Sequence, residues 1–467
     1  MSHDFHPTVL REYDIRGIIG ETLGPDDARA IGRGFGSMLA EAGGTKVAVG
    51  YDGRVSSPML EHALVEGLTA AGMDVVRIGM GPTPMLYYAE ASAEDVDGGI
   101  QITGSHNPAN YNGFKMVFQG RPFFGADIQE LGRRGATGEW VDGAGEVEER
   151  EVLDAYIDRM LGALEGIDTA QLANLKVGWD AGNGAAGPAL EKLAARLPGE
   201  HHLLYTEVDG NFPNHHPDPT VEENLEDLRA LVAEKSLDFG VAFDGDGDRI
   251  GAIDGDGRVI WGDQLLMIYA EDLLSRRPGV TIIADVKASR ALFDHVATHG
   301  GEPLMWKTGH SLIKSKMKET GSPLAGEMSG HVFFADEYYG YDDALYAGVR
   351  LIAAAARLGK SVTELRGAMP PMVNTPEMRF QVDESRKFAA IGEIAERIAN
   401  SDAVADTTDG VRVTTDDGWW LLRASNTQDV LVARAESESR EGLKKLVAQI
   451  DEQLAASGLE RGPQAGH

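Results

Sequence analysis

The chain has 467 residues, of which 42% are hydrophobic, and its 43 basic and 74 acidic residues give a formal net charge of −31. This length exceeds what one hydrophobic core supports, so about three or four domains are expected. The acidic charge excludes proteins whose main partner is nucleic acid or an anionic membrane, because those partners select basic surfaces, and the absence of cysteine excludes disulfides and thiolate metal sites.

The N-terminal residues, MSHDFHPTVLREYD, contain no basic segment followed by an apolar one, so no secretory signal is predicted. The most apolar windows, such as 351–358, are too short to cross a bilayer. We therefore expect a cytoplasmic protein.

A repeated pattern dominates the first 368 residues. Three short apolar strands end in turns of small residues: KVAVGYDGR (46–54), KVGWDAGNG (176–184) and TIIADVKAS (281–289). Each is followed by a helical stretch and then by a second strand that ends in a polar loop: GGIQITGSHN, FGVAFDGDGDR and PLAGEMSGH. This alternation predicts three related α/β domains with mixed sheets. We expect the three polar loops to meet at one site, because ligands favour the loop ends of strands in such sheets.

The first polar loop, TGSHNPANYNGFKMV (103–117), places Ser105, His106 and Lys115 within a few residues of one another. Gly, Ser, Asn and Pro favour turns, so this segment taken alone is typical of an ordinary polar loop. A loop at the end of a strand is also where reactive groups are commonly mounted. The local sequence leaves both interpretations open.

The second polar loop, DGDGDR, has carboxylates at alternate positions: Asp244, Asp246 and Asp248. In an extended segment these side chains would project to one side, and the intervening glycines would let the backbone curl. Three clustered carboxylates favour a hard divalent cation. An EF-hand is excluded, because Arg249 stands where that loop needs Gly and Gly255 stands where it needs Glu. Magnesium is favoured over calcium, and a solvated acidic turn is the alternative.

The third polar loop, GEMSGH, contains Glu327, Ser329 and His331, whose donors and acceptors suit vicinal sugar hydroxyls. After about residue 368 the pattern changes to strands and turns flanked by helices, which predicts a smaller α+β domain. Its segment RASNT combines the guanidinium of Arg423 with hydroxyl and amide groups that could hold a phosphate. Taken alone, each of these two segments favours a plain turn.

Two other motifs offer competing functions. GNGAAG (182–187) follows a strand, opens a helix and has Glu207 twenty residues later, as in a dinucleotide-binding fold. Asp180 just before it would place a negative charge toward the pyrophosphate. The segment NFPNHHPDP, with His215, His216 and Asp218, could indicate zinc, although a Pro-rich structural loop is favoured.

Seven segments taken together resemble those of the α-D-phosphohexomutase superfamily, most closely its bacterial phosphomannomutase/phosphoglucomutase branch. In chain order they are REYDIRG, GYDGRVSSP, TGSHNP, DGDGDR, WKTGHSLIK, GEMSGH and RASNT. The resemblance covers nearly the whole chain and implies four domains around a central cleft. We place these domains at residues 1–148, 149–256, 257–368 and 369–467, with a possible hinge near residue 368.

The resemblance also implies roles for particular residues. Ser105 would carry a phosphoryl group, and Mg²⁺ would be held by Asp244, Asp246, Asp248 and an oxygen of the phosphorylated serine. The remaining catalytic positions would be Arg16, His106, Lys115 and His331. The substrate-binding positions would be Tyr13, Arg249, Lys287, His310, Glu327, Ser329, Arg423, Ser425, Asn426 and Thr427. His106 is expected to orient the serine rather than to act as a base, because adjacent side chains diverge in extended chain.

The reaction implied by the resemblance moves a phosphoryl group between C1 and C6 of mannose and glucose phosphates. It passes through a 1,6-bisphosphate that turns around in the cleft, with glucose 1,6-bisphosphate as activator. The implied partners are hexose phosphates, and a monomer is expected. The alternatives are a phosphoglucosamine mutase, an NAD-dependent oxidoreductase that uses GNGAAG, and a non-catalytic cation- or sugar-binding protein. Lys115 or His331, assisted by Arg16, could be the general base.

Overall fold

The computed structural model describes residues 2–426 and 428–462. Four sheets follow one another along the chain, three of them mixed and the last antiparallel. The predicted fold class, three related α/β domains and a smaller α+β domain, is therefore confirmed. Within the described residues, none of the helices is both long and apolar enough to cross a membrane.

The first domain is built on a seven-stranded sheet. Its strands are β1 (Ile15–Ile18), β2 (Lys46–Tyr51), β3 (Asp74–Met80), β4 (Gly98–Ile102), β5 (Tyr111–Phe118), β6 (Arg121–Pro122) and β7 (Val147–Glu149). Its helices are α1 (Pro25–Glu41), α2 (Ser57–Ala70), α3 (Thr83–Ser92) and α4 (Ala126–Thr137). Helices α1, α2 and α3 each have proline in the first turn, where its missing N–H costs no hydrogen bond.

The second domain has a five-stranded sheet. Its strands are β8 (Lys176–Asp180), β9 (Glu200–Leu204), β10 (Phe239–Phe243), β11 (Ile250–Asp254) and β12 (Val259–Ile260). Its helices are α5 (Leu153–Leu161), α6 (Gly187–Ala194) and α7 (Glu226–Lys235), with short 3₁₀ turns at Gly162–Leu164, Thr169–Leu172 and Glu222–Leu225. The domain boundary drawn after residue 256 stays a prediction; β12 lies beyond it and pairs with β11.

The third domain has a four-stranded sheet, and two of its helices are mostly buried. Its strands are β13 (Thr281–Asp285), β14 (Glu302–Trp306), β15 (Leu324–Gly326) and β16 (Val332–Phe334). Its helices are α8 (Gly262–Arg276), α9 (Arg290–Thr298), α10 (His310–Thr320), α11 (Ala344–Leu358) and α12 (Val362–Gly367).

The first three sheets share one topology. In each sheet the first predicted strand (β2, β8 or β13) lies between two parallel neighbours, and one of these neighbours (β4, β10 or β15) pairs with an antiparallel strand. The polar loop always connects that parallel strand to its antiparallel partner (β5, β11 or β16). The repeated sequence pattern therefore corresponds to a repeated structure, with a polar loop at the same place in each copy.

The fourth domain is an antiparallel sheet covered by two long helices. Its strands are β17 (Val373–Asn374), β18 (Met378–Gln381), β19 (Val404–Asp406), β20 (Val411–Thr415), β21 (Gly418–Ala424) and β22 (Val430–Ser437), and its helices are α13 (Glu384–Ala399) and α14 (Arg440–Ala456).

The first three domains share a hydrophobic core, whereas the fourth domain does not belong to it. One continuous hydrophobic core runs from α3 of the first domain through the second into the third. The fourth domain has a core of its own and meets the third through a small cluster of Val286, Trp419 and Leu421. Beside it, Arg412 donates to the carbonyl oxygens of Val286 (2.6 Å) and Ala288 (2.9 Å). The fourth domain thus has the least apolar attachment to the rest.

Candidate active site

One cleft of about 900 Å³ lies where the polar loops of all four domains meet. The predicted site residues that line it are Tyr13, Arg16, Ser105, His106, Lys115, Arg249, Lys287, His310, Glu327, Ser329, His331, Arg423, Ser425 and Asn426. The three aspartates of DGDGDR are fully buried directly behind Ser105 and Lys115. Thr427, also predicted, lies outside the described residues. The expectation that the loops converge is therefore met by the geometry.

Ser105 occupies a constrained position at the end of β4. Its φ is +49°, a left-handed conformation that a residue with a Cβ seldom adopts, and only 2% of its surface is exposed. Its backbone N–H donates to Oγ1 of Thr103 (2.8 Å), and its hydroxyl donates to Oδ2 of Asp244 (3.0 Å). Such strain persists only where the surroundings over-determine it and is common at functional sites.

Arg54, from the GYDGR turn after β2, holds this loop in place. Its guanidinium is buried and donates to four carbonyl oxygens of the loop: Ser105 (2.7 Å), Asn107 (2.6 Å), Pro108 (2.6 Å) and Tyr111 (3.0 Å). A Cβ at Gly104 would lie 2.4 Å from the guanidinium carbon, so the loop can approach Arg54 only because this residue is glycine. The sequence contains this arginine in a recognised segment, but its contacts join residues more than 50 positions apart.

The acidic loop is a turn, in which the backbone curls at glycine as its residue types led us to expect. Gly247 has φ +72°, and the backbone N–H groups of Asp248 and Arg249 both donate to Oδ1 of Asp244 (3.1 Å each). A Cβ at Gly245 would lie 2.5 Å from the carbonyl oxygen of Ser105. The glycines therefore let the acidic turn close against the serine loop, and the carboxylates converge because the chain curls rather than because it is extended.

The acidic cluster fits a divalent cation. Oxygens of Asp244, Asp246 and Asp248 lie within 4.8 Å of one another, and all three side chains are fully buried. Within the described residues, Oδ1 of Asp246 and Oδ1 of Asp248 have no hydrogen-bond partner. Buried carboxylate oxygens are normally paired, so two orphaned ones beside each other indicate a place for a ligand with oxygen preference.

Lys115 is the nearest cation to this cluster. Its ammonium donates to Oδ2 of Asp246 (2.8 Å) and to Oδ2 of Asp248. Burial lowers the pKa of Lys115, but the charges of Asp246 and Asp248 outweigh it and raise that pKa above its usual value. Burial raises the pKa of Asp244 well above the usual carboxyl value, with the neighbouring carboxylates acting in the same direction. One lysine therefore does not balance three buried carboxylates.

His106 lies against the serine, contrary to the expected divergence. Its Nδ1 is 3.3 Å from Oγ of Ser105, because the left-handed backbone at Ser105 turns the two side chains toward each other. Burial, and then the charges of Arg249 and Arg16, hold the pKa of His106 well below its usual value. The imidazole is thus neutral at neutral pH and can orient the serine hydroxyl or a group attached to it.

His331 is held between an arginine and a carboxylate. Its Nε2 accepts a hydrogen bond from Nε of Arg249 (3.1 Å), which places the proton of the neutral ring on Nδ1. Nδ1 is 3.0 Å from Oδ2 of Asp342. His310 stacks on it with ring centroids 5.6 Å apart. An imidazole backed by a carboxylate is the usual arrangement of a general base, and Asp342 was not predicted from the sequence.

Glu327, in the GEMSGH loop, is held by the turn that precedes α10. Oε1 of Glu327 accepts from the backbone N–H of Gly309 (2.6 Å), and burial raises the pKa of its carboxyl group. The ring of Tyr13 covers Gly309, where a Cβ would lie 2.7 Å from the phenol carbon. Ser329 is half-buried in the same loop and lines the cleft.

Glu377 and Arg379 line the cleft but were not predicted. Lys287, which was predicted, donates to Oε2 of Glu377 (2.9 Å), and Nε of Arg379 donates to Oε1 of the same glutamate (2.8 Å). Burial raises the pKa of Glu377, but Lys287 and Arg379 outweigh it and hold that pKa well below its usual value. The alternating polar residues of TPEMRF could have suggested that one face of this segment is functional. The sequence of β18 alone does not show what that face contacts.

The predicted phosphate-binding residues of RASNT lie at the end of β21. Nε of Arg423 donates to Oδ2 of Asp409 (2.9 Å), which also accepts from the backbone N–H of Thr308 in the third domain (3.0 Å). Asn426 donates to the phenol oxygen of Tyr13. The guanidinium is therefore oriented by the partly buried carboxylate of Asp409 and reaches the cleft from the fourth domain.

The two competing motifs have structural explanations. In GNGAAG, a Cβ at Gly187 would lie 1.9 Å from the carbonyl oxygen of Thr206, so the turn is packed against protein where a dinucleotide would need space. His215 pairs through Nε2 with Oδ2 of Asp180 (3.0 Å). Asp218 accepts from Thr220 within its own loop. Within the described residues, neither histidine of NFPNHHPDP belongs to a group of metal-ligating side chains.

Comparison with family models gives four matches along the chain. They are the phosphoglucomutase/phosphomannomutase alpha/beta/alpha domain I (residues 7–140), domain II (154–257) and domain III (261–372), and the C-terminal domain of the same family (377–453).

Full-length relatives agree with these matches. The chain is 46% identical over 439 residues to a phosphomannomutase/phosphoglucomutase of Pseudomonas putida, covering 94% of both chains. It is 43% identical over 442 residues to a phosphoglucomutase of Neisseria gonorrhoeae, covering 94% of this chain and 95% of the relative. A crystal structure of a phosphoglucomutase/phosphomannomutase family protein from Burkholderia thailandensis superimposes with a TM-score of 0.90, at 45% identity and 99% coverage of both chains.

Proposed function

The chain belongs to the phosphoglucomutase/phosphomannomutase family and is a phosphohexomutase, and we propose that it interconverts the 1- and 6-phosphates of mannose and of glucose through a phosphoserine at Ser105. One observation carries this assignment. The Ser105 hydroxyl is buried in a strained loop, donates to Asp244 of the acidic turn, and faces a cleft lined by all four domains.

Ser105 would exchange its phosphoryl group with the sugar. The bond between Oγ and phosphorus breaks as a phosphorus–oxygen bond forms to the sugar hydroxyl, and that hydroxyl loses its proton to a base. The product is a hexose 1,6-bisphosphate. After this intermediate turns around, its other phosphoryl group returns to Oγ of Ser105, and the sugar oxygen that is released takes a proton back from the base. The enzyme therefore ends as it began. Glucose 1,6-bisphosphate would activate the enzyme by phosphorylating Ser105.

The residues around Ser105 suit this transfer, which depends mostly on positioning and electrostatics. Mg²⁺, held by Asp244, Asp246, Asp248 and an oxygen of the phosphorylated serine, would withdraw charge from the phosphoryl group. Arg54 fixes the loop through its carbonyl oxygens. A phosphoserine adds about −1.5 to −2 charges, and the cations that line the cleft beside it are Arg16, Lys115 and Arg249.

His331 is the base we favour among the candidates; it would take the proton on Nε2, which requires Arg249 to release that nitrogen. Its ring has a carboxylate, Asp342, 3.0 Å behind Nδ1, and it lies in the cleft beside Arg249. A proton taken by the ring would therefore be stabilised by a buried negative charge. Arg16 and Lys115 would balance the charge of the phosphoryl group.

The remaining predicted residues would hold the sugar and its second phosphate. Glu327 and Ser329 would bind the hydroxyls, with Lys287 and His310 beside them. Arg423 with Ser425, Asn426 and Thr427 would bind the phosphate that is not reacting, as a guanidinium fork suits phosphate. Tyr13 would hold the fourth domain against the third, so that both sets of residues face the same substrate. Because these groups come from two domains, either end of the sugar could be presented to Ser105.

Phosphorus NMR tests the proposal directly. Mannose 1-phosphate is incubated with the enzyme, Mg²⁺ and a trace of glucose 1,6-bisphosphate, and we expect the mannose 6-phosphate signal to grow. Ser105→Ala should give no turnover and no gain of one phosphoryl mass, whereas Ser92→Ala, on an exposed helix end, should behave as the unmodified chain. If glucose and mannose phosphates both stay unchanged while glucosamine 1-phosphate reacts, the sugar assignment is wrong. No turnover of any of the three would overturn the proposed reaction.

A further inference from the structure

Two histidines and a glutamate form a separate cluster on the third domain. Glu271 lies on α8, His295 lies on α9, and His299 follows the last residue of α9. One oxygen and two ring nitrogens of these residues lie within 4.8 Å of one another. None of the three lines the central cleft, so this cluster is not part of the mutase site.

His295 offers an unused ligand atom. Its Nε2 is buried and, within the described residues, has no hydrogen-bond partner, although Oε2 of Glu271 is only 3.7 Å away. A buried polar atom without a partner is costly, so its presence here indicates a missing ligand rather than a packing preference.

His299 is oriented for the same role. It lies four residues after His295, which places both rings on one face with centroids 4.0 Å apart. Its Nδ1 is 2.8 Å from the carbonyl oxygen of His295, so Nδ1 carries the proton and Nε2 carries the lone pair. Metal-binding histidines usually donate their other ring N–H in this way, because the hydrogen bond fixes the tautomer and the ring plane.

Glu271 completes the set with an oxygen. Its Oε1 is paired with the ammonium of Lys360 (2.8 Å), and its Oε2 is the oxygen that faces His295. His299 is exposed, which leaves one side of the cluster open to a water molecule. Two imidazoles and a carboxylate with an open fourth position suit zinc and its neighbours among the transition metals, whereas magnesium prefers oxygen ligands alone.

We propose that Glu271, His295 and His299 bind a divalent transition metal of the zinc class and that the bound ion ties α8 to α9. The site is distinct from the acidic turn in both ligand chemistry and position. The site is independent of the mutase reaction, so an experiment that finds no metal there would leave the proposed function unaffected.

Calorimetric titration with Zn²⁺ tests the site in the full chain, free of any histidine tag and with Mg²⁺ in excess. His299→Gln and Glu271→Gln remove one ligand each, and the exposed position of His299 makes its replacement harmless to folding. His62→Gln is the matched control, because His62 faces Glu66 (3.4 Å) on α2 without a second histidine. All variants keep the acidic turn, so any zinc bound there cancels in the comparison.

The unmodified chain and His62→Gln should bind one equivalent of Zn²⁺ more than His299→Gln and Glu271→Gln, or bind that equivalent at least about tenfold more tightly. Saturating Zn²⁺ should also raise their thermal midpoint relative to the two ligand variants, because an ion that binds only the folded state stabilises it. Equal stoichiometry, affinity and thermal response in all four proteins would overturn the proposal. So would an unmodified chain that binds no Zn²⁺ at all.

Discussion

The phenol oxygen of Tyr13 accepts a hydrogen bond of 2.5 Å from Nδ2 of Asn426 and donates one of 3.0 Å to the carbonyl oxygen of Thr308. Burial raises the pKa of Tyr13 to about 12, so the phenol keeps its proton throughout the physiological range. One side chain near the N-terminus thus joins the third and fourth domains at the cleft. Since the fourth domain has little apolar attachment, we expect such polar contacts to control its closure.

Tyr13→Phe should weaken this closure. The change removes two hydrogen bonds worth about 1 kcal/mol each and leaves the ring in place, so kcat/KM should fall about five- to thirtyfold. Small-angle scattering of the free enzyme should show a larger radius of gyration. Tyr205→Phe is the control, because its phenol bonds Asp227 (2.8 Å) on the surface of the second domain. Unchanged scattering and kinetics in Tyr13→Phe would show that the bond does not hold the domain.

Replacement of Arg54 should reduce catalysis through the serine loop. Arg54→Lys keeps a charge but cannot donate to all four carbonyl oxygens, so Ser105 should lose its fixed position. A displacement of about 1 Å can cost about 100-fold in rate, and we expect that fall in kcat with a smaller change in KM. Arg29→Lys, at a half-exposed surface pair, should leave both constants unchanged. Normal kcat in Arg54→Lys would exclude the positioning role.

Asp244→Asn should abolish activity and yet stabilise the metal-free enzyme. The amide keeps the Oδ1 acceptor of the turn and removes one of three buried, mutually repelling carboxylates. Because folding raises the pKa of Asp244, its contribution to stability is fully present below the usual carboxyl pKa of about 4 and is lost as pH rises from that value through the raised pKa of the folded state. In chelator, the thermal midpoint of the variant should therefore exceed that of the unmodified chain at pH 7 more than at pH 4.

The control for this experiment is Asp256→Asn, in the exposed turn between β11 and β12. It should keep full activity and show the same pH dependence of the thermal midpoint as the unmodified chain. Added Mg²⁺ should raise the midpoint of the unmodified chain and of Asp256→Asn, but should raise that of Asp244→Asn much less, because one ligand is lost. A metal-free Asp244→Asn that is less stable than the unmodified chain at pH 7 would contradict the repulsion argument.

Glu377→Gln should raise KM more than it lowers kcat. Glu377 pairs with Lys287 across the third and fourth domains, and loss of one partner in a buried charge pair costs about 2 kcal/mol or more. We expect KM for the hexose phosphate to rise at least about tenfold, since the cost falls on domain closure around the substrate. Glu393→Gln breaks an exposed pair with Arg386 in the same domain and should change neither constant. An equal fall in kcat without a rise in KM would place Glu377 in the chemical step instead.

Most of the fold could be predicted because its signals are local. The strands that start at Lys46, Lys176 and Thr281 show apolar runs that end in small residues, and the structure places each of them between two parallel neighbours in its sheet. Each polar loop follows a parallel strand in the same way, so a repeat in sequence corresponds to a repeat in space. The acidic turn and the serine loop could be found for the same reason, since their residue types lie within a few positions.

The sequence by itself therefore determined the fold class, the order of the domains and the residue types at the site. Only the tertiary structure decided how those residues are held. Packing determines the left-handed backbone at Ser105 and the hydrogen bonds from Arg54 to that loop. It also determines the contacts of Tyr13 with Asn426 and of Lys287 with Glu377. They join segments that are distant in the chain, and hydrophobic periodicity and turn chemistry carry information only about near neighbours.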